Sequence, residues 1–205
     1  MGDDVDLLER WREGDRKAGQ ELFSRYFDAL LRFFRNKVGD DAAAELVQTT
    51  FLVCVERRDT FRAESSVRTF LFAIARRRLY SYFESRQQAG QRFEPETVSV
   101  ADLGTTPSEL LDHKRTHTVL LAALRTIPAQ MQILLELHYW EKLPGPQLAQ
   151  IFEVPEGTIR TRLRRAKQVL ATRIDELRTG PRVATSEEDL EGWAAEVRAE
   201  LGEAV

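Results

Sequence analysis

The chain of 205 residues is predicted to be all-α, and three observations carry that expectation. Apolar residues recur every three or four positions over most of its length, which is the period of an amphipathic helix. Glycine and proline are sparse (11 and 7) and β-branched clusters are few, so little in the chain favours strands. Helix-start chemistry stands where the periodic runs begin, as at Thr106-Pro107-Ser108-Glu109, a capping box with proline at the first helical position. The expected architecture is two helical units, a bundle and a helix–turn–helix, joined by a flexible linker and followed by a C-terminal amphipathic helix.

A short helix is expected from about residue 4 to 13, ended by Gly14-Asp15. The next, about 16–38, carries Leu22, Phe23, Tyr26, Leu30, Phe33 and Phe34 at the helical period, and Gly39-Asp40 ends it. Asp41 can cap a third helix, about 41–57, with Leu46, Val47, Thr50, Phe51, Val53 and Val55. Residues 58–66 have no clear period and read as a loop. A long helix follows at about 67–87, its apolar arc formed by Leu71, Phe72, Ala75, Leu79, Tyr82 and Phe83. From 88 to 106 the pattern dissolves into an extended linker. Helices are then expected to about Thr126, from Pro128 through Met131, Ile133, Leu134, Leu137 and Tyr139, from Gln147 to Phe152, and from Glu156 onward. Past Gly180-Pro181, Leu190, Trp193, Val197 and Leu201 make the apolar stripe of a last, acidic helix.

Composition limits the function. No run approaches the roughly 18 apolar residues that span a bilayer, and no signal peptide is visible, so a cytoplasmic chain without membrane insertion is expected. The lone Cys54 sits in an apolar run and is expected to be a buried thiol. No Gly-rich phosphate loop, nucleophile constellation or metal-ligand cluster appears, so neither an enzyme nor a cofactor is expected. His113 and His117 have a spacing that can hold a metal, but no third ligand is placed, and an ordinary exposed pair is the expectation. Net charge is −3, which alone argues against nucleic acid, yet its distribution is uneven. Residues 61–90 hold six basic and two acidic groups, and residues 156–180 seven and three, so two basic islands interrupt an acidic chain.

The second island is a helix with a one-sided charge. Ile159, Leu163, Ala166 and Leu170 form a stripe at i, i+4, i+7 and i+11, and Thr161, Arg164 and Arg165 fall opposite, with Arg160 flanking. Preceded by the short helix 147–152 and a tight turn, it makes a helix–turn–helix whose second helix suits a DNA major groove. Thr158, at its N-terminus, is placed to meet a phosphate. The first island interleaves Phe61, Arg62, Arg68, Phe70, Arg76, Arg77, Arg78, Tyr80 and Tyr82. Rings that stack on unpaired bases beside guanidiniums that hold a backbone suit single-stranded or locally opened DNA.

Two separate stretches give the chain a resemblance. Ala43-Ala44-Glu45-Leu46-Val47-Gln48-Thr49-Thr50-Phe51-Leu52, followed by Phe70-Leu71-Phe72-Ala73-Ile74-Ala75-Arg76, is similar to region two of the bacterial sigma-70 family of RNA polymerase sigma factors. Leu124-Arg125-Thr126-Ile127-Pro128 through Leu148-Ala149 to Gly157-Thr158-Ile159-Arg160-Thr161-Arg162-Leu163-Arg164-Arg165-Ala166 resembles region four. Both occur in the order of the two-domain extracytoplasmic-function (ECF) subgroup and cover about residues 5–175. The resemblance implies region two at 1–88, a linker at 89–106, region four at 107–179 and an acidic extension at 180–205. It implies that Asp41, Glu45, Gln48, Thr49 and Leu52 dock on core RNA polymerase. Arg62, Ser65, Ser66, Phe70, Arg76, Arg77 and Tyr80 would capture the melted minus-ten element of promoter DNA. Thr158, Arg160, Thr161, Arg164 and Arg165 would read the minus-thirty-five element as duplex. An anti-sigma factor is a further partner of the family, and the free chain is expected to be a monomer.

The sequence departs from the family pattern at Phe70, where tryptophan is usual, at Arg77 for asparagine and at Ser81 for aspartate. It also departs at Gln132 for arginine and Gln147 for glutamate. The extension, through Leu190, Trp193, Val197 and Leu201, is expected either to pack quietly or to cover a functional surface. The alternative function is a free-standing helix–turn–helix regulator, which would need a dimer to read two half-sites and leaves the region-two motif without a task.

Overall fold

The computed structural model describes residues 2–61, 65–87, 92–104 and 115–177, with 191, 192 and 195. Within them the chain forms eight α-helices: α1 (Gly2–Arg12), α2 (Arg16–Arg35), α3 (Asp40–Arg57), α4 (Val67–Arg86), α5 (Arg115–Thr126), α6 (Ala129–Tyr139), α7 (Gly145–Phe152) and α8 (Glu156–Leu177). No strand occurs among the described residues; a single antiparallel bridge pairs Ser99 with Pro128. The fold is all-α, as the sequence predicts.

Local chemistry sets the helix ends. Asp15 caps α2, its carboxylate accepting from the backbone N–H groups of Lys17 (3.0 Å) and Ala18 (3.3 Å). Ser66 caps α4 by accepting from Thr69 N–H at 3.0 Å. Two expectations change. Helix α2 stops at Arg35, three residues early, because Asn36, Lys37 and Val38 turn inward and are fully buried. The segment expected as a loop after α3 opens with a 3-10 turn, Arg58–Thr60, held by the Arg12 guanidinium donating to the carbonyls of Arg58 and Phe61.

The linker departs furthest from expectation. Residues 92–104 are not extended but fold back against both helical units. Phe93 is buried edge-on to Tyr80 (5.5 Å between ring centroids) and Phe83 (5.3 Å). Ala129 N–H donates to the Val98 carbonyl at 2.9 Å and Gln130 N–H to that of Pro95 at 2.8 Å. A reciprocal Ser99–Asp102 pair closes the turn that follows: Ser99 donates to the carboxylate and accepts from Asp102 N–H. Burying one aromatic ring is worth roughly 1.5–3 kcal/mol, and fully buried Val100 with half-buried Val98 and Leu103 adds further apolar contact along the strap.

Apolar contact joins the two units. One core runs through α1–α4 (Leu22, Phe33, Phe34, Phe72, Leu79) and continues into Ile133, Leu134, Leu137, Leu148, Phe152 and Ile159. A second gathers Leu120, Leu124, Leu135, Tyr139, Trp140, Leu170 and Ile174 between α5, α6 and α8. Helix α6 lies between the two cores and is buried nearly all round, Gln132 and Glu136 included.

Two backbone positions yield predictions. Gly19 lies under Trp11, and a Cβ there would come within 2.7 Å of the indole nitrogen. Overpacking of this kind costs about 1–3 kcal/mol and exceeds the gain of about 1 kcal/mol from helix propensity. Gly19→Ala is expected to lower stability by about 1 kcal/mol in urea titration. Glu153, just after α7, holds a left-handed φ of 58°, which costs a non-glycine residue about 1–2 kcal/mol. Its ion pairs are solvated and are worth about 0–1 kcal/mol. Glu153→Gly is therefore expected to raise stability by about 1 kcal/mol in the same assay.

Candidate nucleic-acid interface

Helices α7 and α8 meet across the turn 153–155 as a helix–turn–helix. Leu148, Ile151 and Phe152 are buried with Ile159, and Ala149, Val154 and Leu163 pack at the edge of that cluster. The turn is closed by Val154 N–H donating to the Ala149 carbonyl at 3.1 Å. Ile159, Ala166, Leu170 and Ile174 are the buried stripe of α8. The opposite face carries Arg160, Thr161, Arg164 and Arg165, all exposed, and Thr158 stands half-buried in the first turn. Arg160 keeps 75% of its side-chain surface in solvent. Five sequence-predicted residues thus lie on the first three turns of one helix, with guanidiniums free to reach into a groove.

The first basic island is arranged differently. Arg62 lies outside the described residues. Ser66 is committed to capping α4, and Ser65 beside it is half-buried. Phe70 packs its ring on Phe61 at 5.2 Å and sits at the rim of the core. Arg76, Arg77 and Tyr80 come together on one face of α4, and other parts of the chain lie on that face. Glu153 pairs with Arg76 (3.3 Å) and Arg77 (2.6 Å). The Arg77 hydrogen bond holds the Glu153 carboxyl below its ordinary range. The Arg76 guanidinium lies over the rings of Phe152 and Tyr80, at 5.3 and 5.4 Å. Phe93 closes the edge of Tyr80, whose pKa burial raises.

On α3, Asp41, Glu45, Gln48 and Leu52 follow one another at i, i+4, i+7 and i+11 and are exposed along a single stripe, with half-buried Thr49 beside it. Leu52 is 54% exposed, unusual for a leucine in a helix centre. It borders an open apolar groove of about 350 Å³ between α2 and α3, lined also by Phe23, Phe27, Val47, Phe51 and Val55. Phe27, 41% exposed, was missed by the sequence reading. Its signal was an aromatic ring one position off the buried stripe of α2.

The sequence reading also missed the charged seam between the units. Glu136 in α6 is 2% exposed, and its carboxylate accepts from Lys37, from Asn36 Nδ2 (2.9 Å) and from Gln132 Nε2 (2.9 Å). Lys37 is fully buried, stands over the Phe33 ring at 4.2 Å, and burial lowers its pKa. Glu141, 4% exposed, accepts from Arg32 (3.1 Å) and Arg68 (2.7 Å). A lone glutamate inside the run Ile133-Leu134-Leu135-Glu136-Leu137 was the available signal, since a buried carboxylate needs a cation.

Cys54 is buried, and burial pushes its thiol pKa up to about 12, as suits an inert core thiol. Among the described residues no three His, Cys, Asp or Glu side chains gather as a metal site, and no helix is long and apolar enough to cross a membrane. His113, the side chain of His117, and Leu190, Trp193, Val197 and Leu201 of the extension lie outside the described residues.

The family pattern described as Sigma-70 region 2 matches residues 22–89, and that described as Sigma-70, region 4 matches residues 117–170. The chain is 26% identical over 182 residues to an ECF RNA polymerase sigma-E factor of Haemophilus influenzae, covering 85% of this chain and 96% of that protein. It is 21% identical over 179 residues to the ECF RNA polymerase sigma-E factor of Escherichia coli, covering 83% and 94%. In fold it is similar to CnrH, solved in complex with the cytosolic domain of CnrY (TM-score 0.63, 18% identity, 86% of this chain and 99% of that one). It is similar also to the sigma factor RpoE of Bartonella quintana, solved in complex with the anti-sigma factor NepR (TM-score 0.55, 24% identity, 80% and 99%). With both regions matched in order and an arginine-faced helix–turn–helix within the second, the chain belongs to the sigma-70 family of RNA polymerase sigma factors, in its extracytoplasmic-function group.

Proposed function

We propose that this chain is a dissociable subunit that binds core RNA polymerase, directs it to specific promoters and assists strand opening. The observation that carries the reading is the exposed Arg160, Thr161, Arg164 and Arg165 face on the second helix of the helix–turn–helix. It sits in the same chain as the outward stripe of α3. The family is one of initiation factors and not of enzymes; the polymerase makes the RNA, and the chain acts with it in the cytoplasm. Asp41, Glu45, Gln48, Thr49 and Leu52, with the groove beneath Phe27, form the polymerase-docking surface. Arg62, Ser65, Ser66, Phe70, Arg76, Arg77 and Tyr80 take the opened minus-ten strand. Thr158 and the arginine face of α8 hold the minus-thirty-five duplex. Residues 1–88 and 107–179 serve as the two functional regions. Anti-sigma factors are a partner class, as for the Bartonella protein. A free-standing regulator is not favoured, because it leaves the α3 surface without a task.

Each contact is weak alone, and the polymerase makes the affinity by holding both surfaces at once. The test is run-off transcription with core enzyme across genomic promoters; output equal to core alone on every template would end the reading. Leu52→Asp is expected to raise the concentration needed for half-maximal core binding by about tenfold, equivalent to about 1.4 kcal/mol. Its thermal melting stays unchanged, because the side chain is exposed. Arg164→Ala with Arg165→Ala is expected to weaken binding to upstream duplex DNA. If both side chains meet phosphates, the slope of log K against log salt falls by about 2.

A further inference from the structure

We propose that Arg12, at the end of α1, is a positioning residue for capture of the opened minus-ten strand. The proposal rests on the functional reading above for what Phe70 and its neighbours do. Arg12 precedes residues 22–89, the stretch that matches the region 2 pattern, so that pattern assigns it nothing.

Helix α3 ends at Arg57 and continues only as the 3-10 turn Arg58–Thr60. The carbonyls at such an end have no helical N–H to meet. Within the turn, the Arg58 carbonyl accepts from Phe61 N–H at a long 3.4 Å. Arg12 supplies further donors. Its Nε donates to the Arg58 carbonyl at 2.8 Å, and its Nη2 donates to the carbonyls of both Arg58 and Phe61. A planar guanidinium bridges two carbonyls in a fixed fork, which a compact ammonium does not. The cation also lies at the negative end of the α3 dipole.

The donor is itself fixed. Arg12 is half-buried, and Trp11 beside it seats the last turn of α1. The Trp11 ring is buried, meets Phe23 edge-on at 5.1 Å and lies against Gly19 with no room for a Cβ between them. The Arg58 guanidinium stands over that ring at 5.3 Å. One turn of α1 therefore holds the backbone of Arg58 through Arg12 and its side chain through Trp11.

What is held leads to the strand-capturing residues. Phe61 is buried, and its ring fixes that of Phe70 at the rim of the core, 5.2 Å between centroids. Ser66, further on, caps α4. Arg62 and Ser65 stand in the sequence between these two fixed points. Groups that contact a ligand must be held within about 0.5 Å of their productive geometry by partners that are themselves locked. Arg12 acts in this way through the Phe61 carbonyl, at a distance from the bases. An arginine that served only to end α3 would need the Arg58 carbonyl alone.

The test uses the full-length chain assembled with core RNA polymerase, as parent, Arg12→Ala and Arg12→Lys. Two fluorescent single strands are compared: one carries the minus-ten sequence of the strongest promoter in the run-off survey, the other the same bases scrambled. The quantity read is the ratio of the two affinities, which does not depend on the fraction of chain that is folded. Arg12→Ala is expected to lower this preference by about tenfold, the size of one lost charge-assisted hydrogen bond. Arg12→Lys is expected to fall between the two. Binding to core enzyme and to upstream duplex is expected to match the parent. A preference unchanged in both variants would overturn the assignment, as would a loss matched by an equal loss of core binding, because the whole bundle would then be disturbed. If Arg12→Ala does not fold, Arg12→Lys against the parent decides by the same ratio. A parent that initiates without preferring the matched strand also overturns the assignment. Parent output equal to core alone on every template overturns the functional reading, and the assignment of Arg12 with it; that failure is distinct because it appears before any substitution.

Discussion

A carboxylate cannot be buried without donors, and Glu136 sets the arrangement of the whole molecule through that requirement. In a medium of low dielectric the idealised cost of burying one such ion is of order 20 kcal/mol, and several kcal/mol survive relaxation. Glu136 meets the cost with three donors, two of which, Lys37 and Asn36, come from the other helical unit. To deliver them, α2 ends at Arg35 and the next three residues turn inward. With Lys37 engaged, α6 lies against the bundle, α7 lies against α4, and the strap 92–104 has a surface on which to fold. The early end of α2 and the register of α6 on the bundle go with this one ionic contact, while the apolar core supplies the rest of the seam. The contact adds little net stability by itself, because attraction and desolvation nearly cancel; what it fixes is register.

The helix–turn–helix is held by a different balance. Its geometry comes from apolar residues facing each other across a three-residue turn, and its charge is left outside. The turn places Glu153 in the left-handed region, where glycine would be less strained. A carboxylate at that position projects onto Arg76 and Arg77 of α4. Solvated ion pairs contribute little, so these contacts influence which surface is covered more than how stable the fold is.

The three functional surfaces therefore differ in accessibility for physical reasons. The α3 stripe and the α8 face each lie opposite a buried apolar stripe, so neither is drawn into a core. The α4 face carries arginines and aromatic rings together, and such side chains pack well as well as bind well. Phe93, Phe152 and Glu153 make use of that. A surface able to stack on a base and hold a phosphate is also able to accept an internal ring and carboxylate.

By itself the sequence determined the helices, their order and the helix–turn–helix, because period, caps and turn residues are local properties. It also determined the exposed arginines of α8, which lie opposite an apolar stripe readable from spacing, whereas the docking residues of α3 came from the resemblance to region two. The fate of Arg76, Arg77 and Tyr80 was not legible: their chemistry was plain, but Glu153 is 76 residues beyond Arg77 and Phe93 lies in a stretch without period, so nothing local reports that they return. The inward turn at Lys37 and the folding of the expected extended linker were hidden for the same reason. A lysine after a helix reads as surface until a glutamate about a hundred residues away is known to face it. Tertiary structure decided the seam, because burial of a charge is settled by the partner that the fold brings to it.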